Sequence, residues 1–504
     1  METLDWIALG GYFVLVLGIG LWAKRRVADT KDFYVGGGRV PWWLSGISHH
    51  MSGYSAVVFT GFAAIAYSTG VTIYLWWAIG IAFGTFVAAL IIAPAWARLS
   101  RRFGAESPLE YLEARYGLPV QQVLGWSGSL LNLIADASKF AGMGIILSVV
   151  AGIDLNIAII VSGLTGLFYA AAGGLWADLL TDFAQFVVQF IAGVAMFVIV
   201  AAKLGGLGNL LGVFGELPPS HSNPLADPYT LAYVLPYFVI NFFSYAGGTW
   251  NLAQRFMSAS RGSDARKAAM LSSGIYIVWP LVLFFPMWAA PLLLPDLAEP
   301  THVYAIMTRD FLPAGLVGLV VAAVFAHTMA MTTSDANAVS SVVTRDLLPR
   351  VITSLRGASD RVRLMLARMV TVTFSALAVL IAINLEAFGG IIDLMLEWFA
   401  GLIGPISVPM ILGLVPVFRR AGQATALVSI FAGLFTFVLV KYLVPLGSTP
   451  VTTYPILVSL TVFLLGALVG HLLRRPVSDE VEAMMVAVRS DEDPEPAQSK
   501  SGQA

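Results

Sequence analysis

The sequence predicts an all-α polytopic membrane protein, on composition, one long charge-free stretch and the alternation of its basic loops. Of 504 residues, 58% are hydrophobic and 12% are charged, and mean hydropathy is +0.80. A soluble globular chain carries about 25% charged residues. From Val40 to Ala97 there is no Asp, Glu, Lys or Arg, enough for two bilayer crossings at about 20 residues each. With no cysteine, disulfides, thiolate metal sites and thiol nucleophiles are excluded.

Apolar runs predict thirteen spans, at 5–23, 42–69, 73–97, 120–151, 154–173, 178–202, 231–254, 267–294, 314–342, 363–384, 388–417, 423–445 and 452–473. Lys and Arg gather in alternate connections: Lys24, Arg25, Arg26, Lys31 and Arg39; Arg98, Arg101, Arg102 and Arg115; Arg255, Arg261, Arg266 and Lys267; Arg345, Arg350, Arg356, Arg361 and Arg363; Arg419 with Arg420; Arg474 with Arg475. The other connections hold little beyond Lys203 and Arg309. By the positive-inside rule the N-terminus lies outside and the C-terminus inside. The first span is read as a retained helix, because its METLD flank is acidic and its basic cluster follows the apolar run. From Pro476 the chain is polar, with an acidic, proline-containing run at 490–496. It reads as a largely disordered cytoplasmic tail in which Val481 to Val488 form a short surface helix.

Two spans carry interruptions. Ser52-Gly53-Tyr54-Ser55 falls in the middle of span two and Gly247-Gly248-Thr249 in the middle of span seven. Small residues there let a helix unwind, and unwound backbone at membrane depth is tolerated where it lines a protected cavity. Two such segments five spans apart point to an inverted-repeat transporter with its site at the midplane. Glycine also serves close helix packing, so the pattern alone leaves both readings standing.

The segments Gly104-Ala-Glu-Ser-Pro-Leu-Glu-Tyr-Leu-Glu-Ala-Arg-Tyr-Gly117, Gly173-Gly-Leu-Trp-Ala-Asp-Leu-Leu-Thr-Asp-Phe-Ala-Gln185 and Gln254-Arg-Phe-Met-Ser-Ala259 with Ala265-Arg-Lys267 resemble the sodium/solute symporter family. Val40-Pro-Trp-Trp43 and Thr344-Arg-Asp-Leu347 add to the likeness, which runs from about Trp6 to Val417. That family includes sodium-coupled sugar, proline, iodide and sialic acid carriers. The resemblance implies the LeuT-type fold, with five-plus-five inverted repeats. The expected organisation is a peripheral first helix and loop at 1–36, a first repeat at 37–202 and an extracellular loop at 203–230. A second repeat at 231–417, two peripheral spans at 418–475 and the tail at 476–504 complete it. It also implies cation-coupled symport of a small organic solute by alternating access, in the cell (inner) membrane, by a chain working as a monomer.

Carried over by position, the family's sodium site falls on the carbonyls of Met51, Tyr54 and His327, and on Ala330 and Met331 where the family has hydroxyls. A hard cation needs only oxygen donors, but Ala330 and Met331 offer none from their side chains. Thr328, Thr332 and Thr333 lie close by, and the family's acidic residue near this site is kept as Asp182. Sodium is the coupling ion that the family implies, and no other cofactor is expected.

His49 and His50 sit within span two and His327 within span nine. Ionisable groups inside a bilayer are costly and mark ion paths, and histidine titrates near neutrality. One alternative is therefore a proton-coupled symporter or uniporter in which His50, His327 and Asp182 replace the cation. The plainer one is that these histidines donate a hydrogen bond and never titrate. A soft-donor metal set of His49, His50, Met51, His327, Met329 and Met331 is set aside, because residues 327, 329 and 331 point to different helix faces.

Asp136 and Lys139, three residues apart, share a helix face and neutralise each other. Asp335 is assigned to an inner gate or accessory cation, and Glu386, Asp393 and Glu397 to the start of span eleven. The expected solute contacts are Ser52, Ser55 and Val58 from span two and Phe242, Tyr245, Ala246 and Thr249 from span seven. Tyr245 aligns with the aromatic that stacks on sugar in the family's galactose carrier. Gly53, Val57, Val58 and Phe242 stand where that site has amides and acids, which argues against galactose. No phosphate loop, zinc-protease pattern or basic soluble domain is present, so catalysis and nucleic-acid binding are excluded. A channel, or a receptor on a transporter fold, is the rival class.

Overall fold

The computed structural model describes residues 1–23, 35–170 and 174–491. Lys24, Arg25, Arg26, Lys31, Gly173 and the acidic run from Glu492 onward lie outside the described residues. Among the described residues the chain is helical throughout, and Val40 and Ala259 form an isolated bridge.

Ten helices are long and apolar enough to cross a membrane, and shorter apolar helices stand at Thr3–Ile19, Ala56–Thr69 and Leu155–Thr165. Every span predicted from the sequence overlaps one of these. In order, α1 is Thr3–Ala23, α2 Trp42–Met51, α3 Ala56–Phe59 and α4 Gly61–Thr69. After a π-helical turn at Tyr74–Ile79 come α5 Gly80–Ile91 and α6 Ala93–Phe103, whose Pro94 suits a first helical turn. Then follow α7 Glu110–Tyr116, α8 Leu118–Ala151, α9 Leu155–Ala170 and α10 Gly174–Lys203. The second half holds α11 Leu231–Phe243, α12 Trp250–Met257, α13 Gly262–Leu293, α14 Val303–Phe311, α15 Leu316–Val342 and α16 Asp360–Ile383. The series ends with α17 Ala400–Leu412, α18 Gln423–Val438, α19 Ser448–Leu472 and α20 Asp479–Ala487.

The two interrupted spans pack in the interior. α2 lies against α13 and α12, and α11 lies against α5. Val40 N–H donates to Ser258 at 3.2 Å and Ser45 Oγ to the Arg255 carbonyl at 2.7 Å, binding the first half of one broken helix to the second half of the other. α1 packs on α10 and α15, while α18 and α19 pair with each other beside α17. Asp5 contributes more than a negative flank. Its Oδ1 accepts from Gly315 N–H at 2.7 Å and Gly318 N–H at 3.0 Å, satisfying orphan amides at the start of α15.

Two arginines grouped above with the loop charges are buried instead. Arg115 is 4% exposed and donates to the carbonyls of Gly413 (3.1 Å), Ala421 (2.8 Å) and Phe418 (2.6 Å), closing the exposed end of a chain turn. Arg255 is fully buried in α12, where carboxylates from another helix compensate it. Glu397 is likewise paired, with Lys441 at 2.5 Å. At the far end of the described chain, α20 buries Val481, Met484 and Met485. Beyond it Asp491 bonds Arg98 of α6 at 3.0 Å and the amides of Gly262 and Ser263, where α13 begins.

Candidate functional site

The first interruption follows from local sequence. α2 stops at Met51, and Gly53 N–H and Tyr54 N–H make only short returns to the His50 and Met51 carbonyls, both at 3.1 Å. Ser55 is extended (φ −145°, ψ −178°) and its Oγ caps Val57 N–H at 3.3 Å, restarting the helix as α3. The carbonyls of Ser52 and Tyr54 receive no backbone hydrogen bond among the described residues. Gly53 is required by close approach: a Cβ there would lie 1.8 Å from Tyr276 Oη and 2.8 Å from a Tyr245 ring carbon.

The second interruption is built differently. α11 widens into a π-helical turn at Ser244–Gly248, Gly247 takes φ 113°, and Thr249 is extended before α12 begins. Only glycine adopts that φ without strain. Thr249 Oγ1 and N–H both return to the Ser244 carbonyl, at 3.0 and 3.2 Å.

Both interruptions open onto one cavity of about 60 Å³. Of the expected solute contacts, Ser52, Ser55, Val58, Tyr245 and Thr249 line it. Phe242 and Ala246 do not. The Phe242 backbone packs against Gly84, and the Ala246 carbonyl accepts from Trp96 Nε1 at 2.9 Å. Other walls come from α8 (Asn132, Ser138, Lys139), α15 (Met331, Asp335) and α11 (Tyr237, Asn241).

The expected cation residues divide. Met51, Tyr54, His327 and Ala330 are all buried, and at the first interruption the Tyr54 and His327 rings are 5.6 Å apart. Thr328 Oγ1 accepts from Ala56 N–H at 3.2 Å, so α15 touches the restarted helix directly. The nearby hydroxyls of Thr328, Thr332 and Thr333 all donate back to carbonyls of their own helix. Met331 faces the cavity.

Asp182 is not brought to a histidine. Its Oδ2 bonds Ser48 Oγ and lies 3.4 Å from Arg255 Nη2. The same guanidinium holds Asp178 Oδ2 and Ser334 Oγ, each at 2.6 Å, and Ser48 Oγ through Nε at 2.8 Å. His50 instead packs between Tyr54 and Tyr276, with ring centroids 4.8 and 4.6 Å away. His49 bonds Ser272 Oγ at 2.8 Å and the Tyr245 carbonyl at 3.3 Å, and stacks on Phe256. Among the described residues no group of three or more His, Asp or Glu converges as a metal site.

Sequence reasoning pairs Asp136 with Lys139 but misses the third member. Lys139 Nζ bonds Asp136 Oδ1 at 2.8 Å and also Asp335 of α15. It misses Arg255 as a site residue because that side chain sits one position past the apolar run, in a basic cluster.

The sequence profile of the sodium:solute symporter family matches residues 33–433. This chain belongs to the sodium:solute symporter family. The sodium/sialic acid symporter NanT of Aliivibrio fischeri is 23% identical over 507 residues, covering 96% of each chain. The sodium/glucose cotransporter of Vibrio parahaemolyticus is 24% identical over 76% of this chain and 75% of that one. The sodium/iodide cotransporter of Homo sapiens is 27% identical over 74% of this chain and 60% of its own length. A Na+-coupled sialic acid symporter solved in a substrate-bound outward-open state matches with a TM-score of 0.81 at 20% identity, covering 95% of this chain and 99% of that one. The nucleobase-cation-symport-1 transporter Mhp1, in a closed conformation, matches with a TM-score of 0.55 at 13% identity over 92% of this chain and 99% of its own.

The fold is therefore LeuT-type, and the protein is an integral multi-pass cation-coupled symporter. The relatives are transporters, and the comparisons favour neither a receptor, nor a channel, nor a histidine-substituted uniporter.

Proposed function

We propose that the cavity between the two broken helices is the solute site, and that sodium binds beside it on the carbonyls of Met51, Tyr54 and His327. One observation carries the reading: both interruptions, 192 residues apart at the Tyr245–Gly53 contact, border the same cavity. Unwound backbone supplies oxygen dipoles without side-chain charge, which is how a hard cation is held at membrane depth. The unpaired Tyr54 carbonyl supports this. Ala330 and Met331 enter only through main-chain oxygen or by shaping the space.

The carrier works as a monomer in the bilayer, N-terminus outside and C-terminus inside, with solute and sodium as its partners. The relatives named above carry sialic acid, glucose and iodide. What they share is coupling to sodium, and that is what passes to this chain. The test is uptake into proteoliposomes with sodium and proton gradients imposed separately. An inward sodium gradient should drive accumulation at equal pH on both sides. Accumulation driven by a proton gradient alone would overturn the assignment.

A further inference from the structure

The only charged side chains on the cavity wall are Lys139 and Asp335, among the described residues. They belong to one buried triad: Asp136, Lys139 and Asp335 are 1%, 4% and 3% exposed. Two carboxyl groups share one ammonium, so one of them has no cation of its own. Asp136 Oδ2 is buried with no hydrogen-bond partner among the described residues, and Asp335 bonds Lys139 through Oδ2 alone while its residue faces the cavity. At this depth a carboxyl without its own cation is neutralised by a proton or by a positively charged visitor, and Asp335 is placed to meet the visitor.

The neutral groups around the cavity lean the same way. Asn132 and Asn241 turn their amide hydrogens to the carbonyls of Gly128 and Trp76, both at 2.8 Å. Ser138 donates to Ala135 at 2.7 Å, Thr249 to Ser244 at 3.0 Å and Tyr245 to Gly53 at 3.3 Å. The first four oxygens accept no hydrogen bond among the described residues, while Tyr245 Oη also meets the Tyr276 hydroxyl. Asn251 and Ser55 are exceptions, the Asn251 oxygen accepting from Leu252 N–H at 2.7 Å and Ser55 Oγ from Val57 N–H at 3.3 Å. A wall of acceptors matches a solute rich in donors. Trp77 and Tyr237 also border the cavity, and aromatic rings suit an ammonium group.

From the triad and its acceptor-lined surroundings we infer that the transported solute carries a formal positive charge, an ammonium or guanidinium group seated against Asp335. The inference rests on the cavity being the solute site, and it names the class of solute for that site. Lys139 fixes the Asp335 carboxylate in place.

The experiment uses the purified full-length protein in detergent with saturating sodium chloride, reading the shift in thermal midpoint. The probes are choline, glycine betaine and agmatine, set against N-acetylneuraminic acid, glucose and pyruvate. At least one compound of the first group should raise the midpoint. Asp335→Asn should weaken its binding about tenfold or more, the range for a hydrogen bond to a charged group, while Asp335→Glu retains it. The wild-type comparison decides even if Asp335→Asn fails to fold. Binding confined to the neutral or anionic group, or no binding by the cationic one, overturns the inference. So does an Asp335→Asn protein that loses stabilisation by sodium alone and keeps that by solute, since the seat would then be the ion's. Sodium-driven uptake of a neutral or anionic solute would sink this inference and leave symport standing. Cationic solute bound without any effect of sodium would do the reverse.

Discussion

Tyr245 Oη donates to the Gly53 carbonyl at 3.3 Å, joining the unwound stretch of one broken helix to that of the other. A hydrogen bond between two interrupted segments is made only when both halves of the carrier are in this arrangement. Tyr245→Phe keeps the ring and removes the bond. A net value of about 0.5–1.5 kcal/mol predicts a shift in uptake rate or half-saturation of up to roughly tenfold, with the thermal midpoint little changed. Wild-type transport kinetics in the variant would show that the contact is incidental.

Gly53 tolerates no side chain. With Tyr276 Oη 1.8 Å from where a Cβ would stand, Gly53→Ala must displace Tyr276, which also donates to the His50 carbonyl at 3.1 Å. Overpacking of this kind costs typically about 1–3 kcal/mol. The expected outcome is a lower thermal midpoint together with loss of uptake, and Tyr276→Phe in the same chain should recover part of the stability.

Arg255 compensates two buried carboxylates, so Arg255→Gln should destabilise by roughly 3–5 kcal/mol, the cost of leaving buried charge unpaired. Adding Asp182→Asn removes one of the stranded charges and should restore part of that loss. Equal midpoints for the single and double variants in detergent would disprove the compensation.

If main-chain oxygens beside α15 hold sodium, a hydroxyl placed at Met331 adds a ligand. Met331→Ser should lower the sodium concentration for half-maximal uptake by about tenfold, taking roughly 1.5 kcal/mol for a polar contact to a charge. An unchanged sodium activation curve would remove Met331 from the coordination sphere.

Asp491 provides a pH test outside the membrane. Burial raises its pKa, but Arg98 and the amides of Gly262 and Ser263 outweigh that and hold it below the ordinary carboxylate value of 3.8. A depressed pKa contributes stability that is present above the unfolded value and is lost as pH falls through the folded one. Hydrogen exchange over residues 479–491 should therefore stay slow at neutral pH and quicken only in acid below that value. Asp491→Asn should show fast exchange at every pH.

The sequence is most legible where one segment decides its own conformation. The small residues at Ser52–Ser55 and Gly247–Thr249 report both helix breaks because glycine and serine do so through local backbone geometry. Asp136 and Lys139 can be paired because three residues of helix fix their separation. Asp335 lies 196 residues further on, and nothing local announces that Lys139 reaches it. Arg255 is hidden for a related reason: beside Arg261 and Arg266 it resembles a solvated cluster, and its carboxylates are 73 and 77 residues away. Long-range charge pairing leaves no periodic mark.

Ser334 and Asp335 are consecutive residues of α15, the first bonded to Arg255 and Asp178, the second to Lys139. One helix thus grips two separate ionic knots with neighbouring side chains about 100° apart. Turning that rod about its own axis would slacken both knots at once, as lobes on a single camshaft move together. A rotation of α15 would therefore reach the cavity wall and the arginine knot together.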